Sequence, residues 1–94
     1  MTLTEFIDEA VMIATEKGKR PAAFIAMRER HGLVEAIRLC VDRSSPGFET
    51  AHRLDMLEWS LEEAVLKFPE DFPWPSTRKN AKERLDWARS SQRS

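Results

Sequence analysis

Residues 33–42 read LVEAIRLCVD and decide the fold, because their apolar side chains recur at the spacing of a helix. The opposite face carries the charged residues Glu35, Arg38 and Asp42. Two unlike faces of this kind are typical of a helix that packs against a protein core. The apolar members are Leu33, Val34, Ile37, Cys40 and Val41. The segment therefore predicts an amphipathic helix at the centre of a helical domain.

Two more helices are predicted before this segment. Thr2 and Glu5 have the spacing of a capping box, and Gly18 supplies a stop, so a first helix is expected between them. Its apolar face consists of Leu3, Phe6, Ile7, Ala10, Val11 and Ala14. Pro21 suits the first turn of a second helix, which is expected to end at Arg30.

Turn signals divide the chain after the central helix. Residues 44–47, SSPG, form a turn cluster that ends that helix. The next apolar residues recur at every third position and so cover a broad face of a further helix. This helix is expected to end within residues 54–59, LDMLEW. These apolar residues are Phe48, Ala51, Leu54 and Leu57.

The C-terminal part predicts two helices separated by a stiff loop. Ser60 and Glu63 repeat the capping-box spacing, so the chain is expected to break near Trp59 and start a short helix. Residues 70–75, EDFPWP, form the loop, because each proline fixes its own φ and favours an extended residue before it. A last helix is expected after Ser76, with the narrow apolar stripe Ala81, Leu85 and Ala88.

These signals predict an all-α fold. No segment shows strand-like alternation of useful length, and no internal repeat is present. The expected architecture is a compact array of five or six short helices in a single domain at residues 1–89. Residues 90–94, SSQRS, are expected to form a frayed C-terminal tail.

Several of these residues also occur together in a known family pattern. Within residues 31–88 they form a Gly-x-Val-Glu-Ala helix, a Gly-Phe turn and a Leu-x-x-Ser-x-Glu helix. The matching positions are Gly32, Val34, Glu35, Ala36, Gly47, Phe48, Leu57, Ser60 and Glu62. The sequence thus resembles a family of small, uncharacterised helical proteins of bacteria and phages. The resemblance implies an all-helical fold and assigns no catalytic residue; Trp59 and the EDFPWP loop depart from the pattern.

The composition excludes several classes of protein. A chain of 94 residues with 41% hydrophobic and 33% charged residues is typical of a soluble globule rather than a disordered chain. Cys40 is the only cysteine, so one chain can form neither a disulfide nor a thiolate zinc site. No apolar run approaches the ~20 residues that span a bilayer, and the N-terminal MTLTEFIDEAV has acids where a secretory signal would have lysines. We expect a cytoplasmic protein that does not enter a membrane.

Carboxylates are the first candidates for catalysis. Residues 54–75 contain six acids against the single cation Lys67, and a small hydrolase could use Asp55, Glu58 or Glu62 as acid and base. Acids in the first turn of a helix are also favoured by the helix dipole, and Glu62 has that position after the Ser60 cap. The structural interpretation is preferred.

The other residue types that carry chemistry are isolated. His31 and His52 have no second histidine or cysteine at a metal-binding spacing. Cys40 lies on an apolar face, where a buried thiol behaves as a small hydrophobic group. The sequence therefore predicts no catalytic residue, no metal site, no cofactor and no enzymatic activity.

Nucleic-acid binding has two possible locations in the sequence. Residues 24–40 have the order of a helix-turn-helix, but Arg28 stands where a small residue normally packs, and the net charge is −1. In the last helix Arg78, Lys82, Arg89 and, if the helix extends that far, Arg93 share a 60° stripe at about 100° per residue, with Lys79 just beside it. This stripe could contact phosphates or an acidic protein surface. Alternatively, it could pair with the acids of residues 55–71.

The aromatic residues favour a protein-binding function. Trp87 lies off the apolar stripe of the last helix, and Phe72 and Trp74 lie in the stiff loop. Tryptophan is enriched where proteins bind one another, although a small domain can also bury all three tryptophans, including Trp59, in its core. The predicted protein-binding residues are Phe72, Trp74, Trp87, Arg78, Lys82 and Arg89.

The sequence as a whole predicts a small non-enzymatic protein-interaction module. A phage or mobile element is its expected carrier, and a host protein is its expected partner. The alternative is a nucleic-acid-binding accessory protein that uses the basic C-terminal helix. A homodimer is a further expectation, because broad apolar helix faces can be buried against a second copy.

Overall fold

All regular elements that the structure describes are helical, which confirms the predicted all-α class. The structure is a computed structural model and describes residues 1–43 and 46–91. Its α-helices are α1 (Leu3–Glu16), α2 (Ala22–His31), α3 (Leu33–Asp42), α4 (Pro46–Arg53), α5 (Leu61–Lys67) and α6 (Pro75–Ser91). Two 3₁₀ turns, Leu57–Trp59 and Pro69–Asp71, precede α5 and α6 respectively. The radius of gyration of 12.3 Å matches the roughly 12 Å of a folded domain of this length.

The ends of α1 form as the sequence predicts. The Thr2 N–H donates to Glu5 Oε1 at 2.9 Å, and the Glu5 N–H donates to Thr2 Oγ1 at 3.2 Å, which completes the capping box. At the other end the Gly18 N–H donates to the Thr15 carbonyl and the Lys19 N–H to the Ala14 carbonyl. Gly18 has a φ of 85°, which a glycine adopts without steric cost.

Gly32 alone joins α2 to α3. Its φ of 87° and ψ of 165° lie in a region that only glycine occupies readily. The joint turns α3 into the centre of the molecule, where it packs against α2, α5 and α6. Its buried residues are Ala36, Ile37, Cys40 and Val41, four positions of the predicted central helix.

The region between α3 and α5 differs from the prediction. Pro46 and Gly47 belong to the first turn of α4 rather than to a turn cluster, because a proline fits the first position of a helix. Ser44 and Ser45 lie outside the described residues. The helix expected to end within LDMLEW already stops at Arg53, because Asp55 takes a positive φ of 56°.

The predicted restart at Ser60 is confirmed. Ser60 Oγ accepts the Glu63 N–H at 3.1 Å and donates to the Leu57 carbonyl at 2.7 Å, so it ties the 3₁₀ turn to α5. The Glu63 carboxylate bonds to Arg89 instead of closing a capping box. Helix α6 begins at Pro75, slightly before the expected start.

The main core lies between α1, α3, α5 and α6. It contains Leu3, Phe6, Ile7, Phe24, Ala36, Ile37, Cys40, Val41, Ala64, Val65, Phe72 and Ala81. Two smaller clusters lie beneath α4, and one of them joins Phe48 and Leu57 to Leu85 and Ala88 of α6. Of the tail expected at residues 90–94, Ser90 and Ser91 are part of α6, and residues 92–94 lie outside the described residues.

Candidate protein-binding surface

Phe72 is a core residue and not part of an exposed loop. Its side chain is 0% exposed and belongs to the main core cluster. The 3₁₀ turn before it directs the chain inward, with the Phe72 N–H donating to the Pro69 carbonyl at 3.2 Å. This placement corrects the expectation that Phe72 lies on a contact surface, since a fully buried ring cannot touch a partner of the folded protein.

Trp74 is half-buried and is already stacked on a cation of its own chain. The Arg38 guanidinium carbon lies 4.5 Å from the centroid of the Trp74 ring. Arg38 also donates to both carboxylate oxygens of Glu35, at 3.2 Å each. The Trp74 ring is therefore partly covered by this contact and by the main core.

Trp59 also packs inward. Its ring centroid lies 4.9 Å from that of Phe6, and the indole is half-buried between two core clusters. Two of the three tryptophans thus contribute to the fold, in agreement with the alternative that a small domain uses tryptophan in its core.

Trp87 is the exposed tryptophan. It is 60% exposed, and among the phenylalanines and tryptophans of the described residues it is the one that is exposed. The His52 ring of α4 meets it edge to face, with centroids 5.7 Å apart and an interplanar angle of 72°. Part of the indole is therefore in contact with α4 while the remainder faces solvent.

The basic stripe lies on a different flank of α6 from Trp87. At about 100° per residue, Trp87 is roughly 140° to 180° around the helix from Arg78, Lys82 and Arg89. The predicted surface that combined these residues is therefore not formed as one patch. The same angles can be calculated from the sequence, so this correction could have been made without the structure.

Ion pairs neutralise much of the basic stripe. Lys82 Nζ lies 2.7 Å from Asp86, and Arg89 lies 3.0 Å from Glu63 of α5. The Arg89 pair agrees with the alternative that the stripe meets the acids of residues 55–71. Lys79, beside the stripe, lies 3.9 Å from Glu83.

A buried ion pair that the sequence did not reveal links α5 to α6. Arg84 donates to Glu62 Oε2 at 2.9 Å, and Glu62 is 3% exposed. Burial raises the pKa of the Glu62 carboxyl, and the hydrogen bond from Arg84 opposes that rise. Of the three carboxylates considered for hydrolysis, Glu62 is thus bound to a guanidinium, while Asp55 and Glu58 are exposed.

Helix α3 is not placed like the recognition helix of a helix-turn-helix. The joint is a single residue, Gly32, where the motif uses a turn of three or four residues. Its charged face is also occupied by internal contacts, since Arg38 bonds to Glu35 and Asp42 accepts the Thr77 hydroxyl.

The remaining candidates for chemistry are the cysteine, a metal site and a surface groove. Cys40 is buried, and its thiol donates to Met27 Sδ at 3.8 Å, as expected for a small hydrophobic residue. Within the described residues no three metal-ligating side chains come together. A groove of about 820 Å³ lies between the start of α1, the Gly32 joint and Asp71, and none of the three candidate carboxylates lines it.

In the described part of the chain, every helix is too short or too polar to cross a bilayer.

The candidate surface that remains is centred on Trp87. We define the Trp87 surface as Trp87 and His52 together with the two exposed acids one helical turn before them, Glu83 and Glu49. Comparison with protein-family models, curated proteins and solved structures found no match to this chain.

Proposed function

We propose that this protein is a small non-enzymatic interaction module that binds a partner protein through the Trp87 surface. The resemblance to small bacterial and phage proteins leads us to propose a host protein as that partner. One observation carries the proposal, namely an indole that is 60% exposed on a rigid helix while the other two tryptophans pack inward.

Burial of the exposed indole in an interface would contribute substantially to the free energy of binding. A tryptophan side chain has roughly 200 Å² of surface, so burying the exposed 60% of Trp87 removes about 120 Å² from water. At about 25 cal/mol per Å², this burial contributes roughly 3 kcal/mol. Helix α6 and the His52 contact hold the ring in place, so little side-chain entropy is lost when a partner binds.

Affinity capture from a host lysate tests this proposal. We expect the wild-type protein to retain a defined protein partner after nuclease treatment, and the Trp87→Ala variant to lose it. Lys82→Ala is the matched control, because it removes an exposed side chain from the opposite flank of the same helix. Equal capture by wild type and Trp87→Ala would show that the Trp87 surface is not the binding site.

The alternative function, nucleic-acid binding by the basic helix, predicts a different result. Contacts to phosphates weaken by orders of magnitude between about 50 and 200 mM salt, whereas a tryptophan-centred interface responds much less. Because Lys82 and Arg89 already pair with carboxylates, the ion pairs favour the protein-binding proposal. Nuclease-sensitive capture that Lys82→Ala abolishes would instead support the alternative.

Light scattering over a range of concentrations tests the proposed homodimer.

A further inference from the structure

The Trp87 surface combines an aromatic face with negative charge. Side chains on a helix lean over the preceding turn, so the indole of Trp87 lies toward Glu83, four residues earlier. On α4, Glu49 lies about 60° around the helix from His52 and one turn before it. Both acids are exposed. Glu83 thus shares a face of α6 with Trp87, and Glu49 shares a face of α4 with His52, which contacts the indole.

The cations of the same region do not neutralise these acids effectively. The Lys79 and Glu83 side chains are 75% and 65% exposed, and their contact of 3.9 Å is long, so the pair is weak. Arg84 is turned inward to Glu62. Arg53 lies four residues after Glu49 and about 40° around α4 from it, but among residues 1–43 and 46–91 no ion pair involves Glu49.

The same chain shows what such an arrangement binds. At Trp74 the Arg38 guanidinium lies 4.5 Å from the ring centroid while it donates to both oxygens of Glu35. The planar guanidinium suits both contacts, because it stacks on an aromatic face and donates to a carboxylate at its edge. The Trp87 surface has the ring and the carboxylates but lacks the guanidinium.

We infer that the Trp87 surface binds an arginine side chain in a basic segment of the partner protein. The guanidinium stacks on the solvent-facing side of the Trp87 indole and donates to Glu83, and a neighbouring cation of the segment meets Glu49. This inference rests on the proposed function, because it specifies the partner that the same surface takes.

Titration with a defined peptide tests the inference. The probe is a blocked nine-residue peptide that repeats glycine, arginine and serine, observed through the three indole N–H signals in a ¹H–¹⁵N spectrum of the full chain. One cation–π contact and two exposed ion pairs together correspond to a Kd of roughly 10 mM or weaker, so the peptide is titrated to about 50 mM. We expect the Trp87 signal to shift progressively along a binding curve, and the Trp59 and Trp74 signals to stay in place.

Two controls isolate the charge and the guanidinium. The double variant Glu49→Gln/Glu83→Gln is expected to bind the peptide roughly threefold to tenfold more weakly, whereas Glu29→Gln/Glu70→Gln, with the same change of charge elsewhere, binds as wild type. A citrulline version of the peptide, which is neutral and of similar shape, is expected to leave the Trp87 signal unmoved. An unmoved Trp87 signal with arginine, an equal shift with citrulline, or undiminished binding by Glu49→Gln/Glu83→Gln overturns the inference. If partner capture still requires Trp87 in that case, the proposed function stands without it.

Discussion

Helices α1 and α4 end with the same pattern of hydrogen bonds, but the central residue is a glycine after α1 and an aspartate after α4. After α1 the bonds run from Gly18 and Lys19 back to the helix, and after α4 the Asp55 N–H donates to the His52 carbonyl and the Met56 N–H to the Ala51 carbonyl. This pattern needs a left-handed residue at its centre. Glycine meets that need at Gly18, whereas Asp55 adopts a φ of 56° with a side chain present.

We therefore expect Asp55→Gly to raise the free energy of unfolding by about 1 kcal/mol, because it removes the steric cost of the left-handed conformation. The reverse change, Gly18→Ala, is expected to lower it by a similar amount. A Cβ at Gly18 would meet no atom within 4 Å, so the loss there comes from the backbone alone. Urea unfolding of both variants measures the two effects, and destabilisation by Asp55→Gly would contradict the expectation.

The buried pair of Glu62 and Arg84 makes stability depend on pH in an unusual direction. Because burial raises the pKa of Glu62 in the folded protein above its ordinary value of 4.5, the folded state takes up a proton before the unfolded state does as pH falls. The contribution of Glu62 to stability therefore increases as pH falls toward 4.5 and decreases as pH rises through the folded-state pKa.

Removing Arg84 should make this behaviour visible. Arg84→Met leaves a buried carboxylate without its guanidinium, which is expected to cost about 3 kcal/mol at pH 7 and less at pH 5, because the raised pKa of Glu62 favours proton uptake as pH falls. Arg89→Met breaks the exposed pair with Glu63 and is expected to cost less than about 1 kcal/mol at both pH values. Denaturant unfolding at the two pH values makes the comparison, and an equal loss at both for Arg84→Met would refute it.

Among the helices, α3 and α6 are joined by a small polar network. The buried hydroxyl of Thr77 donates to the Asp42 carboxylate at 3.0 and 3.2 Å, and the Asn80 amide donates to the same carboxylate at 3.3 Å. The network fixes the start of α6 against the end of the central helix, and with it the orientation of Trp87 farther along α6.

We expect Thr77→Val, which keeps the shape of the side chain, to lower the free energy of unfolding by about 1 kcal/mol through the lost hydrogen bond. Asn80→Ala removes a longer and exposed bond and is expected to have a smaller effect. Thermal unfolding of the two variants gives the order, and a larger loss for Asn80→Ala would show that the Thr77 bond is not the main link.

Helix positions could be predicted where the local sequence carries its own signals. The Thr2 box, the face of residues 33–42 and the Ser60 cap each act within a few residues, and all three are present. The end of α4 could not be predicted, because Asp55 has none of the sequence character of a glycine stop. Its conformation becomes understandable only once Met56 and Ala51 are seen in one apolar cluster.

For the molecule as a whole, the three tryptophans have different roles that sequence separates only in part. The spacing of α6 places Trp87 off its apolar stripe, and the structure shows it exposed. The prediction that Phe72 lies at the surface is wrong, because the direction of a loop side chain depends on the tertiary packing around it. The contact of His52 with Trp87 likewise depends on how α4 crosses α6 and has no local signal.

Stability and binding should therefore respond to different tryptophans. We expect Trp59→Ala to lower the free energy of unfolding by roughly 3 kcal/mol, since it empties a site packed against Phe6. Trp87→Ala should change it by less than about 1 kcal/mol, because most of that indole is already in water. Urea unfolding tests both, and a large loss for Trp87→Ala would mean that its effect on partner capture cannot be assigned to binding alone.

The rate at which a thiol reagent labels Cys40, the single cysteine, can report local opening of the core. Cys40 is 6% exposed, on the inner face of α3 and against Met27 of α2. A thiol reagent reaches this buried sulfur only when the packing around it opens, so the rate of labelling under native conditions reports how often it does. Comparing that rate with and without a bound partner would show whether binding at α6 changes how often the core around Cys40 opens.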